Sequence, residues 1–177
     1  MQLTNTKNRY GFIAIFLHWL LAILFIGMLI LGLYMHSLPI GIEKLKLYGL
    51  HKEFGLLVLW LVILRLFWRL ANTSPTLPPP LWESIAARIV QVLFYILMFA
   101  MPLTGWLLTS SVGLPISFFG LFVMPTLIPA NDGLRIVFLE IHKWLAYGLI
   151  ATIILHVGAA LKHHFIDKDD ILRRIFS

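Results

Sequence analysis

Four of the seven histidines in this chain lie inside long apolar segments, where ionisable side chains are rare and costly. One such segment, residues 140–164, carries both His142 and His156. In an α-helix, their spacing puts the two imidazoles on nearly the same face, roughly 21 Å apart along the axis. They would therefore approach opposite boundaries of a hydrocarbon layer about 30 Å thick, as candidates for metal binding.

The ligand chemistry is limited by what the sequence lacks. It has no cysteine, which excludes disulfides, thiolate zinc sites, iron–sulfur clusters and covalently attached c-type haem. Zinc would need three or four ligands, and no carboxylate lies at the depth of the buried histidines. A haem iron, by contrast, accepts two trans imidazoles in a dry apolar slot.

The composition is that of an integral membrane protein. Of the 177 residues 60% are hydrophobic and only 12% are charged, while soluble domains carry about twice that share of charge. The net charge of +6 is spread over loops and helix ends, so it bears on membrane topology and not on nucleic-acid binding.

Hydropathy predicts an all-α fold: an up-down four-helix transmembrane bundle in a single domain, residues 1–177. The predicted spans cover about residues 11–35, 51–70, 86–109 and 134–163. Prolines predict a turn over residues 72–82 and a kink at Pro102. Residues 110–133 are apolar but broken by glycine and proline, which predicts a membrane-interface loop or short helix.

The distribution of Lys and Arg residues between the loops predicts how the protein is oriented in the membrane. If both termini are cytoplasmic, nine basic residues lie inside and five outside, which agrees with the positive-inside rule. His18 then lies about 12 Å, and His156 roughly 10 Å, above the inner boundary. His51 and His142 are level with each other near the outer boundary.

These depths predict two transverse pairs, each able to supply both axial ligands of one haem in the bundle core. The competing interpretation of any one buried histidine is a polar group hydrogen-bonded to a neighbouring carbonyl. His36, at a helix end among turn residues, is given that structural role. His163 and His164 are either polar caps at headgroup level or proton-handling groups beside a quinone.

The ordered set of motifs resembles the bacterial cytochrome b561 family over nearly the whole chain. The matching residues are His18-Trp19 in the first span, His51, Gly55, Arg65 and Arg69 in the second, Pro102 and Gly105 in the third, and His142, His156 and His163-His164 in the fourth. The resemblance implies two haem b groups with His18, His51, His142 and His156 as iron ligands. It also implies a bacterial inner-membrane location.

Within that family the chain is most similar to the superoxide oxidase type, which implies an enzyme passing electrons from superoxide to ubiquinone. Lys52 and Lys143 each follow an outer histidine, where they would either attract the superoxide anion or simply anchor the membrane interface. Arg65 and Arg69 would either pair haem propionates or act as inner-face anchors.

Two other functions stay open. The same four histidines would serve a cytochrome b subunit that takes electrons from a partner dehydrogenase or hydrogenase and delivers them to quinone. They would also be present in a non-redox membrane protein with structural histidines. The expected partners are membrane lipid and quinone, with superoxide or a redox protein as the electron donor.

Overall fold

Four long apolar helices form the protein. The computed structural model describes residues 2–6, 9–73, 75 and 81–176, and the helices within them are α1 (Phe12–Ser37), α2 (Ile42–Ala71), α3 (Leu81–Ser111) and α4 (Asp132–Lys162). They have 26, 30, 31 and 31 residues, whereas a bilayer needs about 20. Each is long and apolar enough to cross a membrane, which confirms the predicted all-α four-helix fold class.

Two helices begin earlier than hydropathy predicts. α2 begins at Ile42 instead of residue 51, and α3 begins at Leu81 instead of residue 86. The added residues include Glu43, Lys44 and Lys46, which are good helix formers but lower the mean hydropathy. A hydropathy window detects the hydrocarbon layer, so it misses helical turns that continue beyond it. The proline-rich turn predicted over 72–82 lies largely outside the described residues.

The predicted interface loop is a β-hairpin, so the alternative of a short helix was wrong. Strands β1 (Ile116–Phe118) and β2 (Phe122–Met124) pair antiparallel. The turn between them places Phe119 and Gly120 at φ 48° and 73°, a left-handed conformation that glycine adopts without strain. Phe119 packs edge-on against Phe54 of α2 at 5.3 Å, which fixes the hairpin to the bundle.

All four helices contribute to one apolar layer midway along the bundle. Its buried side chains are Leu21 and Phe25 of α1, Val58 and Val62 of α2, Leu97 and Met98 of α3, and Leu149 of α4. Backbone packing is closest between α1 and α2, α2 and α3, and α3 and α4. In the described chain, α4 therefore rests mainly on α3 and is spaced away from α1 and α2.

The outer surface of the bundle is apolar too. Ile23, Ile30 and Leu33 of α1, for example, are 67%, 63% and 53% exposed. A water-soluble protein rarely exposes so much contiguous apolar surface, whereas lipid tails cover it without cost.

At the end of the bundle that lies next to both chain termini, called the inner end after the predicted topology, the chain folds back on the bundle. α4 continues into a π-helical turn, His163–Asp167, and a short 3-10 helix, Arg173–Ile175, follows. The Trp19 indole of α1 donates to the Ile175 carbonyl at 3.0 Å and stacks against Phe176 at 5.0 Å. The tail therefore covers the end of α1 next to His18.

Candidate functional site

The inner site is a pair of imidazoles that face each other between α1 and α4. The ring centroids of His18 and His156 are 6.2 Å apart. Phe94 of α3 packs edge-on against His156 at 5.1 Å. Arg65 Nη2 of α2 lies 3.2 Å from His18 Nδ1, so all four helices border this site.

The outer site repeats the arrangement between α2 and α4. The centroids of His51 and His142 are 6.3 Å apart. Thr104 Oγ1 of α3 lies 3.0 Å from His142 Nδ1. A Cβ added to Gly105 would be only 3.3 Å from His142 Cε1, so glycine is needed for the ring to lie against α3. Buried His51 Nδ1 has no hydrogen-bond partner in the described chain.

Both pairs have the spacing that a shared metal requires. An imidazole nitrogen binds a first-row metal at about 2.0–2.1 Å and lies about 1.1 Å from its ring centroid, so two trans imidazoles place their centroids about 6.2–6.4 Å apart. The observed centroid distances, 6.2 and 6.3 Å, lie within this range. Two imidazoles in direct hydrogen-bonded contact would lie closer. The donor set, two neutral nitrogens on a mostly apolar background, fits a haem.

The seam between α1 and α4 is apolar. It forms an open groove of about 260 Å³ whose lining is entirely aliphatic: Ile26, Leu29, Ile30, Leu33, Ile150, Ile153 and Ile154. The groove contains neither histidine pair, and it is the kind of apolar surface that lipid tails can cover.

The two arginines expected at the inner site, Arg65 and Arg69, contact different partners. Arg65 reaches the histidine pair, as described above. Arg69 turns to α3, where its Nη2 donates to Gln91 Oε1 at 2.9 Å and its guanidinium lies 5.6 Å from the Tyr95 ring centroid. Arg69 is therefore already engaged in holding α2 to α3.

His163 and His164 also have different surroundings. His163 Nδ1 lies 2.7 Å from Asp169 Oδ2 and 3.2 Å from Asp167 Oδ2. Lys162 bridges Asp167 and Glu83 at 2.6 and 3.1 Å, so a cation already pairs with Asp167, the more distant of the two carboxylates that His163 contacts. The His164 ring contacts only its neighbour Phe165 among the aromatic pairs described, at 4.8 Å.

Two of the four outer lysines, Lys143 and Lys44, already have partners. Lys143 Nζ is 2.5 Å from Glu140, and Lys44 Nζ donates to the Leu38 carbonyl at 2.7 Å. Lys52, half-buried beside His51, has no ion-pair partner among the described residues. With the predicted topology the outer side carries five basic and four acidic side chains, which nearly cancel.

Sequence reasoning missed Thr104 and Phe94 of α3 and named Gly105 only as part of the family resemblance. Thr104, Gly105 and Phe94 are uncharged, so no ionisable residue marks this helix as part of a site. The only available signal was the local run Pro102-Leu103-Thr104-Gly105, in which a glycine follows a hydroxyl side chain within an apolar helix.

Comparisons with known proteins agree with this architecture. A family model described as prokaryotic cytochrome b561 matches residues 9–177. Cytochrome b561 homolog 2 of Escherichia coli (strain K12) is 39% identical, covering 99% of this chain and 95% of that protein. Cytochrome b561 homolog 1 of the same organism is 33% identical, covering 95% and 97%.

A more distant relative is a probable superoxide oxidase CybB of Yersinia pestis, 28% identical over 95% of this chain and 96% of that protein. Family membership implies haem b as the cofactor and a multi-pass location in a bacterial membrane. The chain belongs to the prokaryotic cytochrome b561 family of membrane electron-transfer proteins.

Proposed function

We propose that this protein holds two haem b groups and carries electrons across the membrane to ubiquinone. His18 and His156 would bind the inner haem, and His51 and His142 the outer one. The observation behind this is the pair of centroid distances, 6.2 and 6.3 Å, each of which suits two imidazoles on one iron. A haem b, when bound, supplies a one-electron carrier.

Each haem would be held by two histidines. No position is then open for a substrate to bind the metal, so electrons must enter and leave at the edge of the ring system. The apolar layer around Val62 and Leu149 separates the two sites and excludes water from the path between them. Because the same two histidines would hold each haem in both oxidation states, the site would rearrange little when an electron arrives or leaves.

Arg65 has a defined role in this proposal. A guanidinium only donates, so its contact with His18 Nδ1 places the proton of that ring on Nε2. If Nε2 were to hold the haem instead, the ring proton would lie on Nδ1, and Arg65 would need another acceptor. A haem propionate is a suitable one because arginine pairs carboxylates bidentately. Arg69, held by Gln91, is not assigned this role.

Quinone reduction needs two protons as well as two electrons, and His163 is the residue proposed to deliver protons. It lies seven residues beyond His156, roughly two helical turns towards the inner surface. Asp169 orients its ring through Nδ1, which leaves Nε2 free to face a substrate. His164, without such an orienting carboxylate, is assigned the secondary position in the quinone region.

For the electron donor we propose superoxide at the outer face. Each superoxide would lose one electron to become O₂, and two such electrons with two protons convert ubiquinone to ubiquinol. Support comes from the superoxide oxidase relative and from Lys52, an unpaired cation next to His51. Cytoplasmic termini would place this face in the periplasm. Lys143 is assigned a smaller steering role because Glu140 neutralises it.

The near-balance of outer charges favours a second candidate. Five basic and four acidic side chains give little long-range attraction to a small anion. A protein donor that docks by contact would not need such attraction. In this alternative the protein is a cytochrome b subunit that accepts electrons from a partner dehydrogenase or hydrogenase and delivers them to quinone.

Stopped-flow mixing of the purified oxidised protein with superoxide and ubiquinone distinguishes the candidates. The proposal predicts rapid haem reduction followed by ubiquinol formation. The haem reduction should be several-fold slower in K52E and unchanged in R88E, a charge reversal of an exposed residue near the opposite end of the bundle. Haem that superoxide does not reduce would exclude the superoxide donor. Chemically reduced protein that fails to reduce quinone would exclude the enzyme in either form.

A further inference from the structure

The hydroxyl of Thr104 lies where it can determine which nitrogen of one histidine carries the proton. Its Oγ1 lies 2.8 Å from the Ala100 carbonyl, 2.9 Å from the Met101 carbonyl and 3.0 Å from His142 Nδ1. A threonine hydroxyl has one hydrogen and two lone pairs. Backbone carbonyls can only accept, so the hydroxyl hydrogen is directed to one of them.

The position of the proton on the His142 ring follows from this arrangement. Because Thr104 Oγ1 has given its only hydrogen to a carbonyl of its own helix, it can interact with His142 only as an acceptor. The donor is then Nδ1–H of the imidazole, and the Met101 carbonyl is a second acceptor beside the same ring. The remaining nitrogen, Nε2, keeps its lone pair and is available to bind a metal.

No other histidine of the two pairs has a hydroxyl beside its Nδ1 in the described chain, and no side-chain hydrogen bond is formed by His156 there. His18 Nδ1 faces the Arg65 guanidinium, which donates. His51 Nδ1 is buried without a partner. The hydroxyl of Thr104 is therefore a specific feature of one ligand position. Gly105, directly after it, lets the same ring approach the helix closely enough for the contact to form.

We infer that Thr104 is a positioning residue for the outer haem, one that fixes the tautomer and plane of His142 and raises the donor strength of its Nε2. This inference rests on the proposed outer haem site. A hydrogen bond accepted from the distal N–H of a ligating imidazole increases ligand basicity. The more basic ligand favours ferric over ferrous iron, so Thr104 lowers the potential of the outer haem.

The test is a redox titration of purified T104V, which replaces the hydroxyl by a methyl group of similar size. We expect the ratio of reduced to oxidised outer haem at a fixed potential to rise about two- to tenfold, with the inner haem unchanged. The low-temperature electron paramagnetic resonance signal of the outer haem should change as well, because it reports the relative planes of the two imidazoles, now 77° apart.

Matched variants distinguish the effect of losing the hydroxyl from a general disruption of the site. T104S keeps the hydroxyl and should restore the wild-type ratio. T109V removes a hydroxyl from the same helix that bonds only to the Gly105 carbonyl, at 3.0 Å, and should leave both haems unchanged. Should T104V fail to accumulate, T104A removes the same hydroxyl without adding a methyl group and takes its place in the titration.

The H51A variant identifies the inner haem as the one that remains, so the outer haem can be assigned. A T104V protein with two haems, wild-type potentials and a wild-type resonance signal would overturn the inference while leaving the two-haem proposal standing. Wild-type protein that binds fewer than two haems per chain would overturn the proposed function itself.

Discussion

Substituting Gly105 by alanine is predicted to weaken the outer haem site selectively. An added Cβ would lie 3.3 Å from His142 Cε1, whereas carbon atoms in comfortable contact are about 3.5–4.0 Å apart. The imidazole would have to move away from α3 by a few tenths of an ångström. Its Nδ1 contact with Thr104, at 3.0 Å, resists that movement.

The magnitude follows from the cost of overpacking. Inserting one methyl group into a packed site costs about 1–3 kcal/mol. If that cost falls on the haem-bound state, affinity for the outer haem drops roughly 5- to 150-fold. Folding of the apoprotein should not suffer in the same way, because alanine in place of a helical glycine contributes about 0.5–1 kcal/mol of stability.

The assay is titration of haem into apoprotein purified from haem-deficient cells, followed by absorbance. G27A is the matched control, because a Cβ added to Gly27 would meet nothing within 4 Å, and it should bind haem like wild type. In an H51A background, which removes the outer site, adding G105A should leave the remaining haem unaffected. An outer-haem affinity in G105A equal to that in G27A would refute the close packing of His142 on α3.

Three further predictions concern other parts of the molecule. K143Q should slow haem reduction by superoxide by less than about twofold, since Glu140 already neutralises Lys143, and a larger loss in stopped-flow measurements would show that the pair opens. H163Q should slow quinone reduction by chemically reduced protein about 100- to 10,000-fold without changing either haem spectrum, and an unchanged rate would remove His163 from proton delivery. L149A should lower stability by about 2–5 kcal/mol in a denaturation measurement, because Leu149 is 1% exposed in the apolar layer, and a loss below about 1 kcal/mol would contradict that packing.

The depth of each histidine could be predicted from the sequence because depth depends on only two quantities. Hydropathy locates the hydrocarbon layer, and the helical rise of about 1.5 Å per residue converts position into height. Predicting that His18 lies level with His156, and His51 with His142, needed nothing more. The structure brings those pairs together across the bundle.

Lateral contacts could not be predicted in this way. Arg65 and Arg69 are four residues apart on one helix and look equivalent in sequence, yet only Arg65 reaches a histidine. Which of the two turns inwards depends on how α2 packs against α3, and in particular on Gln91. Thr104 was missed for the same reason, because a threonine in an apolar helix most often bonds only to its own backbone.

The β-hairpin illustrates a third limit. Its strands have three residues each, too short for an alternating pattern to stand out from an apolar background. Its position depends on long-range contacts, including the Trp106 indole donating to the Pro125 carbonyl at 3.0 Å.

The central claim, two haems each held by one histidine pair, is tested most directly by the number of haems per chain. Reduced-minus-oxidised spectra with haem extraction should give two b-type haems per chain for the wild-type protein. That number should fall to one in H18A and in H51A, with a different haem retained in each, and stay at two in H36A, which alters an exposed histidine at the end of α1. A single haem in the wild type, or two haems in both H18A and H51A, would contradict the account.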